Sequence, residues 1–394
     1  MARNDEDFEK RLQAMLDRLS LPSRVTILDI KDIVWNENAA TDFSQLIGIL
    51  IKDQENEGQV HETAELIQEA WNTYPHKVLG GKSPLQMVEG YKQSTPGHNQ
   101  PKIEAVSSRK RKTLSEVFKG IYPEEARLVK MGRSEWGFEF PQLYHRLSEQ
   151  LLDLEESDCS AEEYEGQLLG MLKLMPELFD ANNELAHFYG YNDDFKSAKT
   201  VYETAVDLAR AYIPPEFVKG KHHIQWGYLD NRPFLRLLND YAQFTEFNGK
   251  LSRAIPLYEE LLSYNPNDNQ GVRYVLTTAY LKANDPEKVI QLAAKYPGET
   301  GPDLVMGKVL ALFKLGRNQQ ARTYLQRNKK YQTHVIRELL KATHPRPKEI
   351  YDDRVNVGGD DEAWYYWQDQ GDLWAATKGA KDFLKEFVVS LSKQ

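Results

Sequence analysis

Residues 249–283, GKLSRAIPLYEELLSYNPNDNQGVRYVLTTAYLKA, constrain the fold more than any other stretch of the chain. They read as the second helix of one helical hairpin, a Pro-Asn-Asp turn, and the first helix of the next. Ala254, Tyr258 and Leu261 stand at i, i+4 and i+7, which is one apolar helical face. Gly249 precedes this helix, and Pro266 closes it where a helix cannot continue. The same spacing returns on both sides. Upstream, Leu185, Ala186, Tyr189, Ala198, Tyr202 and Ala205 follow the template, with Pro176 closing the hairpin before it. Downstream, Gly316, Ala321 and Leu325 keep the mutual spacing of Gly249, Ala254 and Tyr258, and Val275, Ala279 and Val289 fill a degenerate copy between them. A small alanine where helices cross, beside one large ring, lets stacked hairpins bury a shared face.

These are the signature positions of the tetratricopeptide repeat, whose period is about 34 residues. The expected fold class is all-α: a tetratricopeptide-type α-solenoid, with a smaller, mostly helical N-terminal domain and a C-terminal helical cap. The expected layout is an N-terminal domain over 1–92, a linker over 93–112, a helical lead-in over 113–160, repeats over 161–345 and a cap over 346–394. Ser160 and Glu163 form a capping box that opens a helix over 161–175. Ala198 and Ala254 lie 56 positions apart, about 22 more than one period. The surplus falls in 211–234, AYIPPEFVKGKHHIQWGYLDNRPF, and an insertion that keeps its flanks in phase belongs on one face of a solenoid. In the tail, Trp364, Tyr365, Tyr366, Trp367 and Trp374 suit a cover for the apolar end of the last repeat better than a platform for stacking bases.

The chain has 394 residues with 50 Lys and Arg against 59 Asp and Glu, a net charge of −9. That balance argues against a dedicated binder of nucleic-acid backbone. A single cysteine, Cys159, excludes an internal disulfide and a cysteine zinc site. No apolar run reaches the ~18 residues of a membrane helix, and the start, MARNDEDFEKRL, lacks a signal core. A cytoplasmic protein with no membrane partner is expected, of open oligomeric state.

Helices are expected over 1–20, 41–52 and 60–73, whereas 24–35 reads either as a short strand or as a helix from Ile30. His61-Glu62 lacks a second histidine at 65, so the zinc-protease pattern is absent. In 71–91, WNTYPHKVLGGKSPLQMVEGY, Gly80-Gly81 permits a tight turn, and Ser83-Pro84 starts a helix. A phosphate loop is absent there, since His76 stands where its first glycine belongs. The stretch resembles the toxin-binding segment of Xre/MbcA/ParS-type antitoxins and a Leu-Gly-Gly-Lys-Ser/Thr-Pro turn of some transposase tails; a plain turn between helices explains the same residues. The linker ends in Arg109, Lys110, Arg111 and Lys112, a cluster of the kind that contacts phosphates or simply stays solvated.

Trp226, then Asn231-Arg232-Pro233-Phe234-Leu235-Arg236, the YEELL ending at Leu262, and NPNDNQGVRYVL over 265–276 together resemble the suppression-of-tumorigenicity-seven family and soluble bacterial repeat proteins with the same core. The resemblance covers about 180–295, and GGDDEAWYYWQDQGDLW resembles the tails of the bacterial proteins. It implies a repeat scaffold of the soluble bacterial type and supplies no chemistry to transfer.

No nucleophile-base pair, carboxylate frame, phosphate cradle or cofactor motif appears at a diagnostic spacing. Adjacent His222 and His223 point apart and make poor metal ligands. The sequence therefore reads as a non-enzymatic scaffold or adaptor that holds a peptide or protein in its concave groove. The alternative is a regulatory or antitoxin-like component contacting a toxin or nucleic acid through 60–112. First helices line such a groove, so Asn183, His187 and Tyr191, then Arg236, Asn239 and Gln243, then Arg273, Thr277 and Tyr280 are expected to face the partner. Amides would bond its backbone, and arginines would grip a carboxylate. The competing expectation is that Arg236 and Arg273 pair with acids between repeats.

Overall fold

The computed structural model describes residues 5–19, 25–36, 40–51, 57–87, 111–113, 117, 123–348, 350 and 354–391. Contacts group the chain into two compact units, one of residues 1–127 with 139–160 and one of residues 128–138 with 161–394.

In the first unit, α1 (Asp5–Arg18), α2 (Ile27–Trp35) and α3 (Ala40–Ile51) all pack on α4 (Glu57–Thr73). Leu12, Ile30, Ile33, Leu46, Leu66 and Ile67 form the centre of their core. The sequence left 24–35 open between strand and helix, and a capping box decides it. The Asp29 N–H donates to Thr26 Oγ1 (3.4 Å) while the Thr26 N–H donates to Asp29 Oδ2 (2.9 Å), so the helix starts at Ile27. The Gly-Gly turn is structural. Gly80 and Gly81 have φ of 66° and 81°, and the Gly81 N–H donates to the His76 carbonyl at 2.9 Å. Ser83 and Gln86 bond each other's backbone N–H and open one helical turn over 84–87. The unit also holds α5 (Gln142–Glu155), led in by Phe140 stacked on Tyr144 at 3.8 Å.

The second unit opens with a feature the sequence reading lacked. Within the expected helical lead-in lie two short strands, β1 (Arg127–Lys130) and β2 (Glu135–Glu139). The signal was an alternation, with Trp136 and Phe138 both buried and Met131-Gly132-Arg133-Ser134 turning between the strands. The insertion completes the sheet: β3 (His223–Ile224) pairs parallel to β2, with Glu135 opposite His223 and Trp136 opposite Ile224, in the order β1-β2-β3. Asn231, fully buried, locks the two together. Its Nδ2 donates to the carbonyls of Trp136 (3.1 Å) and Gln225 (2.8 Å), and its Oδ1 accepts from the Phe138 N–H (2.9 Å). The Phe138 ring sits among Phe179, Tyr212 and Phe234.

The rest is a solenoid of antiparallel hairpins, preceded by α6 (Ala161–Leu174), which packs on α7. Its hairpins are α7 (Phe179–Tyr191) with α8 (Phe195–Ala211), α9 (Arg232–Phe247) with α10 (Leu251–Tyr264), α11 (Val272–Lys282) with α12 (Pro286–Lys295), and α13 (Pro302–Lys314) with α14 (Asn318–Leu340). One device turns every hairpin. Asp193, Gly249, Asn284 and Gly316 each take a left-handed φ between 55° and 70°. The next residue's N–H reaches back over the helix end, as Lys250 N–H does to Thr245 O (3.1 Å) and Arg317 N–H to Leu312 O (2.9 Å). Only Gly249 and Gly316 announce this in sequence; Asp193 and Asn284 do the same work with short polar side chains that tolerate the region. The signature alanines Ala198, Ala254, Ala279 and Ala321 are fully buried, with Tyr202, Tyr258 and Leu325 beside them.

A C-terminal pair, α15 (Asp360–Ala376) and α16 (Ala380–Leu391), covers the last repeat, α15 on α13 and α14 and α16 on α14. Trp374 is fully buried and donates its indole N–H to the Tyr366 hydroxyl at 2.8 Å, while Trp367 stacks on His344 at 3.9 Å. The tail rings are thus used as a cap, apart from Tyr365, which stays at the surface. Among the described residues no helix is long and apolar enough to cross a membrane.

Helices α11 and α13 cross closely at Thr277 and Gly307. A Cβ on Gly307 would lie 2.4 Å from Thr277 Cγ2, and the Thr277 hydroxyl is held by the Arg273 carbonyl at 2.7 Å, so the side chain has no room to retreat. Gly307→Ala is expected to destabilise by about 1–3 kcal/mol through overpacking. Gly190→Ala, where the added methyl meets open space, is expected to be neutral or to gain up to about 1 kcal/mol of helix propensity. Thermal unfolding followed by circular dichroism checks the pair, and equal melting points would refute the crossing.

Candidate functional site

The first helices α7 and α9 lie side by side. Their helical period puts Asp180, Asn183, Glu184 and His187 opposite Arg236, Asn239 and Asp240. Arg236 grips Asp180 bidentately, with Nε and Nη2 at 2.7–3.0 Å from the carboxylate. Asn183 donates to Asp240 at 2.5 Å, and its own Oδ1 is buried without a partner. His187 lies between Glu184 (3.8 Å) and Asp240 (3.7 Å). Glu184 and then Asp240 raise the imidazole pKa above its ordinary value despite burial. Asp240 is also shifted up: its burial outweighs the amide of Asn183 and the neighbouring His187. Asn239 lies within 3.5 Å of Asp240, while Tyr191 and Gln243 are exposed.

The groove therefore differs from its expected character. Positive charge was anticipated from Arg236 and Arg273, but both are occupied by carboxylates. The missed residues are Asp180, Glu184 and Asp240, which make this surface acidic. Their signal in sequence is one helical turn: Glu184 stands three residues before His187, and Asp240 four after Arg236.

The third set of predicted residues lies inside the structure. Thr277 is fully buried and Tyr280 nearly so, its hydroxyl donating to Glu259 at 2.7 Å. Arg273 bonds Asp268 (2.8 Å) and Glu299 (2.7 Å) and touches the Tyr274 hydroxyl (2.6 Å). These contacts knit the turn before α11 to the turn before α13. Burial works against the guanidinium charge, yet Glu299 and Asp268 more than offset it and raise its pKa. The physical reason is register. Asn284 turns this hairpin, and the face carrying Arg273, Thr277 and Tyr280 packs on neighbouring helices.

Of the basic cluster, Arg109 and Lys110 fall outside the described residues. Arg111 sits over the Trp35 ring at 3.9 Å, and Lys112 bonds Asp29 at 2.7 Å, so both are engaged within the first unit. His222 accepts the Val218 N–H on Nδ1 (3.0 Å) and lies against Trp136, a structural role. Among the described residues no group of His, Cys, Asp and Glu is arranged to hold a metal ion.

Fold and surface together define a tetratricopeptide-type α-solenoid, a class built on stacked helical hairpins. Residues 138–362, more than half of the chain, match the family described as transcriptional repressor TCF25, and the chain belongs to that family. The matching family is not the suppression-of-tumorigenicity-seven family expected from residues 180–295. Solved structures similar to the chain include TPR-like repeats of a Podosopora anserina protein described as a kinesin light chain. It is 15% identical, covers 47% of this chain and 92% of that one, and has a TM-score of 0.30. A tetratricopeptide repeat protein from Parabacteroides merdae is 14% identical, covers 63% of this chain and 99% of that one, and has a TM-score of 0.26. No curated protein matches the chain.

Proposed function

We propose that this protein is a scaffold that holds an extended segment of a partner protein along α7 and α9, through His187, Tyr191, Arg236, Asn239 and Gln243. The observation that carries this reading is the Asp180–Arg236 and Asn183–Asp240–His187 row. It is a ladder of half-exposed donors and acceptors on adjacent first helices, with one buried acceptor, Asn183 Oδ1, still unpartnered. Such a row bonds peptide amides, and its carboxylates favour a segment carrying a basic side chain rather than the acidic one expected from the arginines alone. Arg273, Thr277 and Tyr280 act indirectly, by fixing the repeat that follows. The family's description as a transcriptional repressor is compatible with a protein that gathers other proteins; the net charge of −9 disfavours a direct hold on DNA.

The test is affinity purification from the source cell with nuclease present, wild type beside Asp240→Asn/Gln243→Ala. A partner recovered with wild type and lost with the variant is the expected result. A partner recovered equally with both, the variant being folded by circular dichroism, sinks the site.

A further inference from the structure

A second surface lies where the turns of the first two hairpins meet, apart from the α7–α9 row. There Phe195, Lys196 and Lys199 of α8 face Tyr241, Phe244 and Thr245 of α9 and Asn248, Lys250 and Arg253 at the start of α10. They enclose an open cleft of about 290 Å³. Its floor is aromatic: Phe195 lies 6.4 Å from Phe244, which packs on Tyr202 at 5.3 Å, and Phe247 stands beside the cleft, 6.5 Å from Phe195. Two of these rings meet solvent, Phe195 at 37% exposure and Phe247 at 80%.

The charge is as unusual as the rings. Lys196, Lys199, Lys250 and Arg253 line the cleft, and no acid does, on a chain whose net charge is −9. Lys199 pairs with Glu203 at 3.0 Å, but Lys196, Lys250 and Arg253 make no ion pair among the described residues. Unpaired cations around exposed aromatic rings complement an anion that carries an apolar group. The volume sits at the bottom of the range of small-molecule sites, and the open shape suits one inserted side chain.

We propose that this cleft docks an acidic peptide segment, an aromatic or branched aliphatic side chain seated against Phe195 and Phe244, beside the exposed Phe247 ring, with flanking carboxylates on Lys196, Lys250 and Arg253. Single-stranded nucleic acid also favours cations with rings. It fits less well, because so few cations cannot follow a continuous phosphate track. The proposal is independent of the α7–α9 row and stands if that row binds nothing.

The test is fluorescence anisotropy of the full chain with a short fluorescein-labelled peptide in which one phenylalanine is flanked on both sides by glutamates. Saturable binding is expected, weakened by salt, and reduced at least about tenfold by Lys196→Glu/Lys250→Glu and by Phe247→Ser. All three positions are exposed, so the variants should keep wild-type melting points, which circular dichroism verifies. Binding that survives the charge reversal overturns the proposal, as does no binding to wild type. Single-stranded RNA displacing the peptide at lower concentration than unlabelled peptide would overturn the choice of ligand. The Asp240→Asn/Gln243→Ala variant should bind this peptide as wild type does.

Discussion

Arg273→Met is expected to lower the stability of the solenoid by roughly 3–5 kcal/mol, whereas Arg236→Met is expected to cost at most about 1 kcal/mol. The two arginines occupy related places on first helices, and each grips carboxylates, so the contrast isolates burial. The Arg273 side chain is 18% exposed, and its partner Asp268 is completely buried. Asp268 also accepts the N–H groups of Val272 (2.7 Å) and Arg273 (2.9 Å) from a left-handed backbone, holding the first turn of α11. Removing the guanidinium leaves that carboxylate charged with no cation and little water. It also leaves Glu299 with only the N–H groups of Thr300 and Gly301 and the Tyr274 hydroxyl. Arg236 is 41% exposed and Asp180 25%, so water replaces what the arginine supplied. Urea unfolding of both variants, read by circular dichroism and by hydrogen exchange in α11 and α13, makes the comparison. Equal midpoints for the two would contradict the structural role assigned to Arg273.

This contrast also marks what the sequence could carry. The solenoid was legible because its information is local: alanines recur at a fixed spacing, joined by a ring in two of the second helices, Tyr202 and Tyr258, and by glycine at two of the turns, Gly249 and Gly316. The specific run 265–276 is explained by the same residues, since Asn265, Asp268, Gly271 and Arg273 build one turn and fasten it to the next. The site was only half legible. Periodicity placed Asn183, His187, Arg236, Asn239 and Gln243 on first helices, but spacing says nothing of what each side chain meets. Asp180 and Asp240 look like ordinary solvated acids until α7 and α9 are brought together. In the third repeat an asparagine turn and a degenerate pattern hide the register, so spacing alone puts Thr277 on the groove face though it packs on Gly307. The hairpin at 127–139 was missed because its pairing partner, His223-Ile224, lies far away in the insertion, and a two-residue strand has no period to detect.

Asn231→Leu tests that long-range pairing directly, and its expected cost is also large, roughly 3–5 kcal/mol. The substitution keeps bulk while removing every polar atom of a fully buried amide. Three backbone groups lose their partner at once: the carbonyls of Trp136 and Gln225 and the N–H of Phe138. Each orphaned buried group costs about 1–3 kcal/mol, with some relief as water or a shifted neighbour fills in. The loss should be concentrated in place. Asn231 is the last residue of the short helical turn Leu229–Asn231 that feeds α9, and its bonds cross to a strand far upstream in sequence. Hydrogen exchange at 135–138 and 222–231 should therefore rise by more than exchange in α13 and α14, which share no contact with the amide. Because Phe138 packs on Phe179 and Phe234, in the first turns of α7 and α9, loosening β2 should also weaken any ligand held along those two helices. Uniform loss of protection over the whole solenoid would show instead that the repeats unfold as one cooperative body, with the insertion as merely one of its bricks. Unchanged protection at 135–138 would remove the amide from the account of why β2 and β3 meet.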